Sequence, residues 1–234
     1  MTHDNVDPAE IAKFEKLASR WWDPSSEFKP LHDINPLRAN WIDQFSQVNN
    51  KQLLDVGCGG GLLCEAMAFR GAHVRGIDMG EAPLSVAKIH QLESGLNIEY
   101  QQSTAEALAE SNAGEFDVVT CLEMLEHVPD PAAVIQACAD LAKPGADLYF
   151  STINRNPKAF MFAIVGAEYL LNMLPKGTHE YAKFIKPSEL ARWVRAAGLN
   201  ITHMTGMTYN PLTRHYALEE RDVSVNYMMR ATKP

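Results

Sequence analysis

Glu123, Glu126 and His127 stand at i, i+3 and i+4 in the run Leu122-Glu123-Met124-Leu125-Glu126-His127-Val128-Pro129-Asp130-Pro131. If a helical turn forms there, that spacing puts two carboxylates and an imidazole on one face. Three chemistries are open to such a set. It can ligate a divalent cation, where oxygen-rich ligation suits Mg²⁺ and the imidazole leaves Mn²⁺ or Zn²⁺ open. It can leave His127 as a metal-free general base, or it can be structural. A dication chelating two adjacent oxygens would lower a phenol's pKa from about 10 and fix one oxygen for attack, so a metal here predicts a catechol-like diol as substrate. His179 is a second imidazole able to accept the proton.

A second group of residues speaks for a nucleotide-type ligand. Leu53 to Gly61 turns from an apolar run through Asp55 into the glycine-rich stretch Gly57-Cys58-Gly59-Gly60-Gly61, and Asp78 follows some twenty residues later. Glycines such as Gly57 and Gly59 let backbone N–H groups approach a ligand closely, and an acid ending the next strand accepts hydrogen bonds from ribose hydroxyls. A dinucleotide fingerprint would want glycine where Leu62 stands, and the Gly-Lys-Ser/Thr of a P-loop is absent. S-adenosylmethionine, which carries no phosphate, remains. In Ser103-Thr104-Ala105-Glu106, a side chain such as that of Glu106 could meet the adenine edge, while Ser103 and Thr104 equally suit a helix N-cap.

The elements that must position these groups are legible as an alternation of strand and helix after residue 50. Apolar runs at Gln52 to Val56, His73 to Ile77, Phe116 to Cys121 and Asp147 to Thr152, with a weaker one at Asn97 to Gln101, predict a parallel sheet covered by helices on both faces. Asn200 to Met207 and Val223 to Met229 supply two later strands. Lys143-Pro144-Gly145 reads as a helix exit. In doubly wound sheets ligands sit beyond the carboxyl ends of the strands, so the residues after Cys121 face the cofactor. Ahead of the sheet, Asp7-Pro8-Ala9-Glu10 reads as a helix start, with an N-cap acid, proline at N1 and glutamate at N3. Ile11, Phe14, Leu17, Ala18 and Trp21 recur at helical spacing, as a stripe on the main body or a lid.

The segment from Arg155 to Lys186 breaks the alternation. Ala159 to Leu174 is apolar except for Gly166, Glu168 and Asn172, and five basic residues stand against two acids, +3 in a chain of −8. A short apolar helix flanked by cations suits an anionic lipid surface or a cover for a greasy substrate; a buried helix or an oligomer interface is the plainer reading. The 234 residues are expected to make one domain, with a helical lid over about 7–45 and this insertion. Net charge −8 disfavours a nucleic-acid surface. Cys58, Cys64, Cys121 and Cys138 form no C-x-x-C pair and read as reduced core residues, and the N-terminus lacks the apolar region of a secretory signal, so a cytoplasmic protein is expected.

Nearly the whole chain resembles the ubiquinone biosynthesis O-methyltransferases. The most specific blocks are Phe14 to Asp23 with its Trp-Trp-Asp, Phe28 to His32, Ile34 to Arg38, Glu123 to Pro131 and Pro175 to His179. The resemblance implies a class I methyltransferase fold, Rossmann-like, with a seven-stranded sheet whose last strand is antiparallel. It implies two O-methylations of polyprenylated phenols, at the 2-polyprenyl-6-hydroxyphenol and 3-demethylubiquinol steps, and membership of a ubiquinone biosynthetic complex. Carried over, the cofactor positions fall on Arg38, which would pair with the methionyl carboxylate, on Gly57, Asp78 and Leu122. Leu122 departs from the methionine often found there. Glu123, Glu126 and His127 match the metal site of mitochondrial relatives, with Mg²⁺ as the expected ion. A polyprenyl tail would place the 155–186 insertion at the inner face of the plasma membrane. Two other functions fit fewer features: methylation of another small phenol or of an RNA 2′-hydroxyl, and a non-catalytic cofactor-binding scaffold.

Overall fold

The five apolar runs expected to pair in parallel do so. In the computed structural model, which describes residues 5–160, 181–210 and 212–234, β1 (Gln52–Val56), β2 (His73–Asp78), β3 (Ile98–Gln102), β4 (Phe116–Leu122) and β5 (Ala142–Ile153) form one half of a sheet. The order within this half is β3-β2-β1-β4-β5, and the sheet continues beyond β5 into later strands. Leu53, Leu54, Val118, Val119 and Leu148 are fully buried, as strands covered on both faces require.

Among the described residues the sheet has eight strands rather than seven. β6 (Asn200–Asn210) and β8 (Asn226–Thr232) answer to the two late runs, and β8 is antiparallel to β5 as expected. The additional strand β7 (His215–Glu219) folds back on β6 as an antiparallel hairpin at the sheet edge. Its five residues alternate between exposed and half-buried, so it carries no fully buried run by which a strand is recognised. The expected turn at Lys143-Pro144-Gly145 lies inside β5: the preceding helix stops at Leu141, and the register slips between Phe116↔Ala142 and Val118↔Asp147, with Gly145 at φ +80° in the bulge.

Helices α3 (Leu62–Ala68), α4 (Glu81–Ser94), α5 (Ala105–Asn112) and α6 (Pro131–Leu141) connect these strands, followed by a short turn α7 (Pro157–Ala159) and α8 (Pro187–Ala196). Two apolar layers result. Phe116, Ile135, Cys138, Phe150 and Leu190 pack on one face, and Trp41, Ile42, Met67, Leu84 and Tyr149 on the other. Each such fully buried side chain contributes about 2 kcal/mol by leaving water. All four cysteines are buried and free.

Ahead of the sheet lie α1 (Pro8–Leu17) and α2 (Lys29–Ser46), joined through the 3-10 turn Ala18–Arg20. The Asp7 carboxylate caps α1 by accepting from the N–H groups of Ala9 and Glu10. α2 buries Ile34, Arg38, Ala39, Trp41 and Ile42 on one face, which brings the guanidinium of Arg38 inward among apolar neighbours. The strand order reverses between β1 and β4, and the crevice this opens at the strands' carboxyl ends is where a ligand belongs.

Candidate active site

One cavity of about 730 Å³ occupies that crevice, within the usual range of about 300–1,000 Å³ for small-molecule sites. Arg38, Gly57, Gly59, Asp78 and Glu106 line it, as do Leu122, Glu123, Glu126 and His127. Every site residue expected from the sequence is therefore at one place, except His179, which lies outside the described residues together with most of the 155–186 insertion.

The floor is made of backbone. After β1 the chain turns at Gly57, whose N–H and that of Cys58 donate to the Ile77 carbonyl at 2.8 and 3.0 Å. Gly57 has φ +74° and Gly59 φ +53°, a region that side chains rarely adopt. Asp78 Oδ2 accepts from the Gly59 N–H at 2.9 Å and Oδ1 from the Gly80 N–H at 2.8 Å. Burial raises the proton affinity of Asp78, against these backbone donors. Below the loop, buried Asp55 accepts from Thr120 Oγ1 at 2.7 Å and Cys64 Sγ at 3.4 Å, and burial pushes its pKa up to about 6.

The glycines also answer to the lid. A Cβ on Gly59 would come within 2.2 Å of the Trp21 ring, and one on Gly60 within 2.3 Å. The indole N–H of Trp22 donates to the Gly60 carbonyl at 2.8 Å, and its ring stacks on His90 at 3.4 Å. The Trp-Trp pair thus clasps the cofactor loop from above. Thr104 Oγ1 caps α5 by accepting from the Ala107 N–H. Glu106 faces the cavity, but its Oε1 accepts from Asn5 Nδ2 at 2.9 Å.

Beyond β4 the three residues of the expected ligand set part company. The turn that forms is a 3-10 turn of only Leu125–His127, and Glu123 precedes it at φ +53°, so Glu123 does not share a helical face with Glu126 and His127. The Glu123 carboxylate accepts from Arg38 Nη2 at 2.5 Å, Ser151 Oγ at 2.7 Å and Asn226 Nδ2 at 2.9 Å. Glu126 turns to Thr152 Oγ1 at 2.8 Å. Burial and the neighbouring Glu123 charge raise its pKa to about 7. His127 Nδ1 lies 2.9 Å from Glu10 Oε2. Each group thus faces a partner of its own, and among the described residues no three His, Cys, Asp or Glu side chains are disposed to hold a metal ion. The expectation of a ligating face is corrected on this point: the residues present do not fit a bound dication in this arrangement.

Arg38, expected opposite a cofactor carboxylate, is paired with Glu123, and its Nε is buried with no hydrogen-bond partner among the described residues. Glu10 went unnoticed in the sequence because glutamate at N3 is explained by the helix start alone. Its side chain points instead into the cavity wall, where Lys13 and Lys183 reach Oε1 at 2.8 and 2.9 Å. The hydrogen bond to His127, with those of the two lysines, holds Glu10 far below the usual carboxylate range in spite of burial. For His127, burial disfavours the cation, but Glu10 and the charge of Glu126 outweigh it and raise its pKa. Ser151, Thr152 and Asn226 carried no sequence signal, since they enter only by pairing with the two glutamates.

A family model described as a methyltransferase domain matches residues 31–204. The ubiquinone biosynthesis O-methyltransferase of Saccharophagus degradans is 69% identical over 229 residues, 98% of this chain and 97% of that protein. That of Pseudomonas syringae pv. tomato is 66% identical over 229 residues, 98% of each. Among solved structures, the magnesium protoporphyrin IX methyltransferase of Synechocystis with bound S-adenosylhomocysteine superposes with a TM-score of 0.70 at 19% identity, covering 95% of both chains. A methyltransferase of Aquifex aeolicus gives 0.63 at 14% identity over 96% of this chain and 98% of the other. The distant structures establish the class I methyltransferase fold around this cavity, and the close relatives, alike from the lid to β8, establish that the chain belongs to the ubiquinone biosynthesis O-methyltransferases.

Proposed function

We propose that this S-adenosylmethionine-dependent O-methyltransferase acts on a phenolic hydroxyl of polyprenylated catechol-type intermediates, the 2-polyprenyl-6-hydroxyphenol and 3-demethylubiquinol steps of the pathway. The observation that carries the reading is the continuity of one cavity from the glycine floor and Asp78 to the imidazole of His127, under apolar lid residues Ile11, Phe14 and Leu17. When bound, the cofactor's sulfonium offers an electrophilic methyl group to an oxygen nucleophile.

The chain's own residues divide the remaining work. Gly57 and Gly59 leave room for close backbone approach, and Asp78 has lone pairs beyond those taken by Gly59 and Gly80 with which to accept ribose hydroxyls. Leu122 and Glu106 line the cavity, where they would border the adenosyl part. Arg38, with its unfilled Nε–H, suits the methionyl carboxylate. His127 accepts the phenolic proton, since a phenol with pKa about 10 is scarcely ionised at neutral pH and its anion is the better nucleophile. The lid excludes water that would otherwise solvate that anion.

No step is routed through a cation, because Glu123, Glu126 and His127 each face a separate partner. A magnesium-assisted variant requires Glu123 to leave Arg38. The greasy tail favours work at a lipid surface, which the apolar 159–174 stretch of the sequence supports. Its flanking cations argue less for it, since Arg155, Lys158 and Lys183 pair with Glu189, Asp222 and Glu10. Among the described residues no helix is long and apolar enough to cross a membrane.

The test is transfer of labelled methyl from S-adenosylmethionine to a short-tailed demethylubiquinol, with and without EDTA and with Mg²⁺ restored. Transfer that survives EDTA and falls about 10²-fold in His127→Ala is expected. Transfer abolished by EDTA and restored by Mg²⁺ would overturn the metal-free mechanism, and transfer to RNA ends but not to the quinol would overturn the substrate class.

A further inference from the structure

His127 belongs to a motif that contains its own carboxylates, yet neither of them orients it. Glu123 is turned to Arg38 and Glu126 to Thr152. The carboxylate at the imidazole comes from 117 residues away, on the first helix of the lid, with Glu10 Oε2 at 2.9 Å from Nδ1. Phe14, one turn further along α1, sets its ring edge-on to the imidazole at 5.1 Å and 89°. Two side chains of one helix thus fix the plane and the rotation of the ring.

Glu10 is only 4% exposed, and a carboxylate is that far out of water at a cost unless its oxygens are filled. Lys13 and Lys183 fill Oε1, leaving Oε2 to His127. An ionised carboxylate is an acceptor only, so Nδ1 must carry the hydrogen. In the neutral ring that leaves the lone pair on Nε2, and both residues line the cavity. A glutamate serving only its helix would reach back to the N–H of the cap residue; this one is turned inward.

We propose that Glu10 is the positioning residue of His127, holding it in the Nδ1–H tautomer with Nε2 as the proton acceptor, so that the base is complete only when α1 is docked. This rests on the reading of His127 as base. In the step, the phenolic O–H bond breaks and its proton goes to Nε2. The oxygen forms a bond to the methyl carbon as the S–CH₃ bond breaks, and a neutral thioether leaves. The imidazolium so formed lies against the Glu10 carboxylate, which compensates its charge without taking a proton. The lid then contributes a part of the reacting apparatus as well as a roof.

The test is a cycle of Glu10→Ala, His127→Ala and the double variant in the full-length protein, with kcat, KM for a short-tailed demethylubiquinol and calorimetric Kd for S-adenosylhomocysteine. It is joined by ¹⁵N NMR of histidine-labelled Glu10→Ala to read the tautomer of His127. Expected are a kcat loss of about 10²-fold in each single variant, a double variant no worse than His127→Ala, an unchanged Kd, and a shift of the ring toward mixed tautomers. Additive losses, or a kcat loss with the wild-type tautomer retained, would make Glu10 a lid latch and overturn the proposal. Glu10→Ala at wild-type kcat beside a crippled His127→Ala would overturn it while sparing His127 as base. A fully active His127→Ala is the separate outcome in which the base assignment itself fails.

Discussion

Asp55 under the glycine loop and Glu10 on the lid are each 4% exposed and border the same cavity, yet their proton affinities move in opposite directions. Burial carries Asp55 up to about 6, because the hydrogen-bond donors it meets, Thr120 and Cys64, are neutral. Glu10 is drawn far down by His127 and two lysines. Charged hydrogen-bond partners at Glu10 and the fuller desolvation of Asp55 together set the opposite directions. The floor is held by backbone geometry and uncharged donors, while α1 is held by the charged partners of Glu10. A site that must hold a cofactor rigidly and still admit a long-tailed ring is served by that division.

The comparison breaks if the floor is not held by shape. Gly59→Val adds a Cβ at φ +53° into the Trp21 ring, and strain at such a position is of order 1–3 kcal/mol before the clash is counted. Calorimetry should show affinity for S-adenosylhomocysteine falling about 10²-fold or more; an unchanged Kd would show that the loop yields. Asp78→Ala comes next. It removes the acceptor of the Gly59 and Gly80 N–H groups as well as the expected ribose partner, and hydrogen bonds to a charged group contribute about 1.5–3 kcal/mol. A loss of about 10- to 10²-fold in affinity is expected, and retained binding would remove Asp78 from the cofactor site.

What could be read in the sequence follows the same divide. The floor was legible because its determinants are local: an apolar strand, glycines at fixed offsets and an acid one strand later obey rules that operate over some twenty-five residues. α1 was legible as a helix, from Asp7 capping and the stripe of Ile11, Phe14 and Leu17, and Arg38 of α2 was expected at the cofactor by resemblance, but no residue of α1 was legible as part of the site. Nothing in spacing links Glu10 to His127 or Trp21 to Gly59, since those contacts exist only after the sheet has formed. The predicted face of Glu123, Glu126 and His127 failed for a backbone reason, the left-handed φ of Glu123, which its neighbours in sequence do not announce.

Proton linkage separates Asp55 from Glu10 at a smaller scale. The native Asp55 carboxyl keeps its proton to about pH 6, whereas its ordinary value is 3.8. Between those values the folded state binds more protons than the unfolded one, so stability falls as pH rises, by on the order of 2 kcal/mol. Glu10 has the reverse sign: its lowered pKa contributes stability that is present above its ordinary 4.5 and is lost as pH falls. Denaturant melts from about pH 2.5 to 7 should show Asp55→Asn stabilised relative to wild type toward pH 7, and Glu10→Gln relieved of the loss below pH 4.5. Parallel slopes for the two variants would erase the distinction.

The smallest effect is the most specific to the lid. Lys183 Nζ joins the end of the 155–186 segment to α1 through Glu10 Oε1 at 2.9 Å and Asp7 Oδ2 at 3.4 Å, with its side chain 32% exposed. A partly exposed pair contributes about 1 kcal/mol at most, and salt screens it beyond a Debye length of about 10 Å at 0.1 M. Lys183→Met keeps the apolar stem and removes the charge, so kcat/KM for the quinol should fall about threefold at low salt. In high salt the wild type should fall toward the variant, while cofactor Kd stays equal in wild type and variant at each salt concentration, since Lys183 pairs with Glu10 and Asp7, which lie at α1 and not in the floor. If Lys183→Met moves cofactor affinity as strongly as kcat/KM, the charges on α1 and the shape of the floor are not separate devices.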